Sequence, residues 1–409
     1  MVPTYGGIVN KNEPSSFVCK ISGNSNWNMP IAFRMFQYVE DGCNGEEIFN
    51  RQEGLFFQKI PPLMQNTEFG MPKSYFIGID DNGNSSFTQY VIQNKPPRVR
   101  SVLVIEDLSH WKSLTACTCL TKEEVIACLK NISILHAKSW GNKEIFDSLG
   151  PSKADTDARM AHYSKFAAFR RKRQLSSVNS VQNKIKKFLS TEWIEHSSMR
   201  LPKGTPTPDW LTIEPTDDGS YIPLRDPLLN EMLSDFANKL PDYYQNKLKH
   251  FYKRENQSII HGDFHSGNHM YGKGDNEGKV IVVDFQMIGS GMVVNDVLAL
   301  LMYSWRVQTL DEIDDFIKEY HNALVENGVN DYSWIEFKND FELAIVESML
   351  SLMDFFGLLK PTTMYNMLDK GNKQKADGLK KIFDLGVLSS TFLILTSMYA
   401  RDKENFLKT

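Results

Sequence analysis

The chain has 409 residues, of which 41% are hydrophobic and 23% charged, with 25 Gly and 17 Pro, a composition that excludes a collagen, a disulfide miniprotein and a disordered tail. Its length suits two or three folded units. Lys and Arg total 46 against 50 Asp and Glu, a net charge of -4, so the chain as a whole does not attract nucleic acid or anionic lipid. Any polyanion it handles must meet a local site. The five cysteines (Cys19, Cys43, Cys117, Cys119 and Cys128) are scattered without the paired spacing of a zinc site and read as reduced thiols. The opening VPTYGGIVNKNEPSS has neither a basic n-region nor an apolar h-region, and the late apolar stretch Leu388 to Ala400 falls short of the ~20 residues of a membrane helix. The expectation is a cytoplasmic protein that is neither exported nor membrane-spanning.

Taken in order, the first hundred residues read as strands. Ser16–Ile21, Lys73–Gly78, Ser86–Ile92 and Ser101–Ile105 are short β-branched or aromatic runs separated by Gly, Asn, Asp and Pro clusters. One helix interrupts them between Glu46 and Met64, where Ile48, Phe49, Leu55, Phe56 and Ile60 keep a helical spacing until Pro61-Pro62. Beyond residue 120 the pattern turns helical. Lys122 to Trp140 places Val125, Cys128, Leu129, Ile132 and Leu135 on one face, with Thr121 and Glu124 at capping-box spacing. The fold class expected is α+β: a bilobal molecule with a small antiparallel β lobe carrying one helix (1–107) and a large, mainly α lobe (108–409), and a ligand cleft between them.

One β interlude breaks the helical half: Ser258–Ile260, His269–Tyr271, a Gly-rich turn, and Val280–Val283. With the turn centred near Asn276, antiparallel pairing sets Asn268 opposite Asp284 at the open end, with Asp263 one loop away. A carboxylate and an amide oxygen that converge beside another carboxylate suit Mg²⁺ on a nucleotide phosphate, which takes one or two protein ligands and keeps its waters. His261, His265 and His269 stand at spacing four, yet Gly262, Gly267 and the flanking strands forbid the helix that would make them a zinc face.

The run His261-Gly-Asp-Phe-His-Ser-Gly-Asn268 resembles the catalytic loop of the aminoglycoside phosphotransferase and choline kinase group of the protein-kinase-like fold, and Asp284-Phe-Gln286 resembles its metal motif. The Gln in third place is similar to the ecdysteroid-kinase-like branch. Val18-Cys-Lys20 resembles the strand of the ATP lysine, Phe49 to Glu53 the helix whose Glu pairs it, Val104 to Ser109 the hinge, and Leu135-His-Ala137 the helix under the catalytic loop. These fragments run collinearly from about residue 18 to about 305. The resemblance implies an ATP- and Mg²⁺-dependent phosphotransferase acting on an alcohol. Asp263 would accept the acceptor's proton, Asn268 and Asp284 would hold Mg²⁺, Lys20 steadied by Glu53 would neutralise phosphate, and the backbone of Glu106, Asp107 and Leu108 would take adenine.

Two spacings argue for a small-molecule acceptor over a protein. About 120 residues separate His136 from His261, and only 12 positions separate Asp284 from Asp296, which by the resemblance begins a buried helix and reads as its N-cap. Tyr163, Phe166, Phe169, Trp193, Trp210 and Tyr221, with the helix around Ser348–Gly357, supply aromatics that suit a steroid or a quaternary amine. An ecdysteroid, choline or an aminoglycoside all remain open. The basic run Phe169 to Arg173, with Lys184, Lys186 and Lys187, reads as a solvated helix face. No nucleic-acid or membrane partner is expected. Only 19 residues precede Lys20, fewer than the two strands and Gly turn that cover the phosphates in this fold would take, with Gly6-Gly7 as the nearest candidate turn. The alternative expectation is therefore a catalytically impaired, pseudokinase-like binding module.

Overall fold

The structure is a computed structural model and describes residues 16–22, 45–80, 100–114, 118, 120–149, 198–201, 220–223, 227–248, 257–304, 310–358 and 387–408. The expected strand at 86–92, the turn at Gly6-Gly7, the basic run and the aromatics between Tyr163 and Trp210 lie outside them.

The first sheet has three strands: β1 (Phe17–Ser22), β2 (Ser74–Asp80) and β3 (Arg100–Glu106), in the order β1-β3-β2, all antiparallel. Lys20 pairs with Leu103, so the two side chains share a face, and Leu103 and Ile105 bury there. Helix α1 (Gly45–Lys59) packs on the sheet. Pro61 and Pro62 end it as a single 3₁₀ turn, and Phe56 and Ile60 are fully buried on its inner side.

A short strand β4 (Lys112–Ser113) leads to α2 (Lys122–Lys138). Its capping box forms as the spacing predicts: Thr121 Oγ1 accepts the Glu124 N–H at 3.2 Å and Glu124 Oε2 accepts the Thr121 N–H at 2.9 Å. All five residues of its expected inner face are fully buried. Then follow α3 (Lys143–Leu149), strands β5 (Ser198–Leu201) and β6 (Ser220–Pro223), which pair antiparallel, and α4 (Pro227–Tyr243), which runs on as a π turn to Leu248. The β5-β6 pair is a second short β element in the helical half, besides the one interlude the sequence shows. Its two four-residue runs are too short to leave a period in the sequence.

The interlude is a composite of short strands. β7 (Ser258–Ile260) pairs with β10 (Gly289–Gly291), and β8 (His269–Tyr271) lies between β4 and β9 (Val280–Val282). Helices α5 (Val294–Ser304), α6 (Leu310–Glu326), α7 (Trp334–Leu358) and α8 (Val387–Arg401) complete the described chain. The result is mixed α and β content with small antiparallel sheets. Among the described residues no helix is long and apolar enough to cross a membrane.

Candidate active site

The segment between β7 and β8 is held through its backbone. Asp296, in the first turn of α5 and 1% exposed, accepts the N–H of His261 at 2.6 Å on Oδ2 and that of Gly262 at 2.9 Å on Oδ1. His136 of α2 donates from Nε2 to the same Oδ2 at 3.2 Å, while its Nδ1 accepts the Tyr320 hydroxyl at 2.6 Å. Two turns further along α5, Ser304 Oγ takes the Ser266 N–H at 2.6 Å. One helix thus grips both ends of the loop. This corrects the N-cap reading of Asp296: α5 starts at Val294, and the buried carboxylate turns to the loop amides, that of the buried His261 among them. Gly262 has φ +82°, and a Cβ there would meet the Met287 carbonyl oxygen at 2.5 Å.

Inside that frame sits Asp263, its side chain half exposed. Asn268 Nδ2 donates to the Asp263 carbonyl at 2.8 Å and to Oδ2 at 3.2 Å, which turns the Asn268 amide oxygen away from Asp263. His265 accepts the Gly267 N–H on Nδ1 at 3.1 Å, so its proton is on Nε2, 3.5 Å from Asp263 Oδ2. Burial works to raise the Asp263 pKa, but His265, His261 and the Asn268 amide outweigh it and hold the carboxyl below its ordinary value. Asp263 is an ionised acceptor with its side chain half exposed.

The three histidines do not converge. His261 donates from Nε2 to the Val283 carbonyl at 3.0 Å, and His269 donates from Nδ1 to the His265 carbonyl at 2.7 Å. Among the described residues no group of three or more His, Cys, Asp or Glu is arranged to hold a metal ion.

The β8-β9 register differs by one residue from the expected one. His269 pairs with Val282, and the Val283 N–H donates to the Asn268 carbonyl at 3.0 Å, so Asn268 faces Val283 and Asp284 stands one step beyond. Asp284 is left-handed, at φ 66° and ψ 63°, a conformation rare for a non-glycine residue and tolerated best by Asp and Asn. This kink turns the chain out of the strand. Oδ1 of Asp284 is buried with no hydrogen-bond partner. A carboxylate oxygen removed from water and left unmatched is costly unless something cationic meets it.

Phe285 is fully buried and stacks on Phe56 of α1, with ring centroids 3.5 Å apart and planes at 9°. That contact seats α1 against the Asp284 segment. One turn back on α1, Glu53 is 2% exposed and holds the Lys20 ammonium with both oxygens, at 2.7 and 3.0 Å. Burial pushes the Glu53 carboxyl up, Lys20 pulls it down, and Asp284 adds to the upward push. Lys20 is thus paired with Glu53, Glu53 feels the charge of Asp284, and Asn268 is bonded to Asp263, which sets one ammonium among three carboxylates.

Glu106 closes β3: its N–H donates to the Lys73 carbonyl at 2.9 Å and its Oε2 accepts the Lys73 N–H at 3.2 Å. Asp107 accepts the Ser109 N–H at 2.9 Å, and bonds from Ser16 and Ser109 hold its carboxyl low. Leu108 is buried. The side chains here are spent locally, so any recognition of a ligand falls to the backbone. Sequence reasoning missed the part played by Asp296, because it acts through backbone partners on a remote segment.

Residues 218–329 match the ecdysteroid kinase-like family. That segment contains both the loop from His261 to Asn268 and the Asp284 motif. The amicoumacin kinase of Bacillus subtilis (strain 168) is 23% identical over 212 residues, which are 50% of this chain and 53% of that protein. The chain thus spans about half the length of that curated relative. Two solved structures are similar in part: a microcompartment-associated aminopropanol kinase, 10% identical over 96% of this chain and 88% of that one, TM-score 0.41, and the amicoumacin kinase hAmiN, 11% identical over 93% and 82%, TM-score 0.34. The resemblance read from the sequence is borne out over residues 218–329, which carry the catalytic-loop and metal-motif likenesses.

Proposed function

We propose that the chain is an ATP-dependent phosphotransferase acting on the hydroxyl of a small molecule, with a bilobal protein-kinase-like organisation in which 1–107 binds nucleotide and 108–409 carries the catalytic loop and acceptor site. The observation that carries it is the orphaned Oδ1 of Asp284 beside the paired Lys20 and Glu53. An unmatched buried carboxylate oxygen suits a hard divalent cation, and the Asn268 amide oxygen supplies a second donor of the same kind. Mg²⁺ held there would neutralise charge on the phosphates of ATP.

The chain's own residues do the remaining work. Asp263, ionised and exposed to the cleft, accepts the proton of the acceptor hydroxyl, while His265 and Asn268 fix the orientation of its carboxylate. Lys20 sets a positive charge against the non-transferred phosphates, and Glu53 keeps it there. The backbone of Glu106 to Leu108 takes the adenine edge. From Asp284 to α5 the chain makes one 3₁₀ turn and strand β10, which leaves no loop long enough to dock a peptide. That supports a small alcohol, with ecdysteroids, choline and aminoglycosides as the classes to try.

The test is ATP consumption by the purified chain against a panel of ecdysteroids, choline, amino alcohols and aminoglycosides, beside the Asp263→Ala variant. Turnover with at least one alcohol, reduced on the order of 10³-fold by the substitution, is expected. Turnover that Asp263→Ala leaves intact, or phosphorylation of generic proteins only, would overturn the reading.

A further inference from the structure

Next to Glu53 in the sequence stands a second buried polar residue of α1. Gln52 is 2% exposed, and its Nε2 donates to two main-chain carbonyls from different parts of the chain: Leu149, the last residue of α3, at 3.2 Å, and Ile288, four residues after Asp284, at 3.3 Å. Its Oε1 is buried without a partner. An apolar side chain of this size would suit a site beside Phe56 and Phe57 better for stability alone, since a fixed Gln loses rotamer entropy and leaves an acceptor desolvated. What the amide supplies is direction. Ile288 precedes Gly289, which pairs with Ile260, the residue before His261. Gln52 therefore refers α1 to the same short strands that carry the Asp263 loop.

Adjacent residues project about 100° apart around a helix, so the rotation of α1 that satisfies Gln52 also fixes where Glu53 points. The Lys20–Glu53 pair does not set that rotation unaided, because Lys20 is 37% exposed and a long flexible ammonium follows its partner. The geometry points to Gln52 as a positioning residue that holds Glu53, and through it Lys20, in place against Asp284. This rests on the nucleotide-binding reading above, and one arm of its test does not.

In the nucleotide-free chain, the rate at which an amine-acylating reagent modifies Lys20, read by mass spectrometry, reports whether the ammonium is held. Gln52→Met, which keeps length and removes both donors, should raise that rate about fivefold, with the remote surface Lys130 unchanged. Gln52→Asn, too short to reach either carbonyl, should do the same and serves where the Met variant fails to fold. In the second arm, calorimetry with Mg-ATP should show affinity weakened about tenfold by Gln52→Met, yet less than twofold when Lys20 is already Met. An unchanged Lys20 acylation rate, or an equal loss of affinity in both backgrounds, overturns the inference. A wild-type chain that binds no Mg-ATP would overturn the nucleotide reading instead, and the acylation arm would still decide the role of Gln52.

Discussion

Around Asp263 the chain is fixed through its main chain: Asp296 and Ser304 take N–H groups at either end of the loop, and Asn268 donates to the Asp263 carbonyl. Around Lys20 the strand is laddered to β3, but the ammonium and the helix beside it are placed through side chains. The ammonium meets Glu53, Gln52 meets two carbonyls, and β1 itself shows Phe17 and Val18 to solvent. A backbone-held residue can be exposed without losing its place, which suits a group that must touch a reactant. A side-chain-held residue moves when its helix moves. On the proposed function, this contrast sets the chemistry at the Asp263 end and the adjustment at the Lys20 end, and substitutions separate the two.

The largest effect should come from Asp284→Asn. The amide keeps the size and the tolerance for a left-handed backbone and removes the unmatched charge, so turnover should fall by 10³-fold or more while the thermal midpoint stays level or rises. A variant that unfolds along with its loss of activity would mean that Asp284 belongs to the frame and not to the chemistry.

Asp296→Ala should do the reverse. Three donors, from His261, Gly262 and His136, the first and last of them buried, lose a buried acceptor, which should cost about 3–5 kcal/mol of unfolding free energy in urea titrations. A loss under about 1 kcal/mol would show that the loop does not depend on this carboxylate, and the contrast drawn above would fail on its firmer side.

The same contrast explains what could be read from the amino acids. Local patterns were legible: the Thr121–Glu124 box, the apolar face of α2, the stop at Pro61-Pro62 and the strand around Lys20 all report on neighbours a few residues away. The hairpin was legible to within one residue, because its turn is a compact 3₁₀ piece, Gly274–Asn276, and pairing closes one position earlier than a turn centred on Asn276 gives. Nothing in the spacing marks the left-handed kink at Asp284. Asp296 reads as a cap because an Asp at a helix start is one, and only the distant loop shows what its oxygens accept. Gln52 has no signature at all, since a glutamine that bonds to carbonyls constrains position and not residue type in its partners.

The smallest effect concerns His269, fully buried between Phe264, whose ring centroid is 4.4 Å away, and Tyr271. Its Nδ1 proton goes to the His265 carbonyl and its Nε2 is buried without a partner, so a second proton has nowhere favourable to sit. Burial pushes its pKa down from the ordinary 6.5 to about 3. The unfolded chain binds that proton near pH 6.5 and the folded chain not until about pH 3, so the unfolded state carries more protons in between and stability rises with pH across that window. The contribution is complete above pH 6.5 and drains away as the pH falls toward 3. From pH 7 to pH 5 it amounts to about 2 kcal/mol. His269→Phe keeps an aromatic ring in the slot and removes the titration. It should lower stability at pH 7 through the lost bond to His265, and its unfolding free energy should fall less steeply between pH 7 and 5 than that of the wild type. Parallel slopes for the two proteins would show that His269 is protonated in the folded chain, and that the backbone-held end of the site is more open to water than its burial implies.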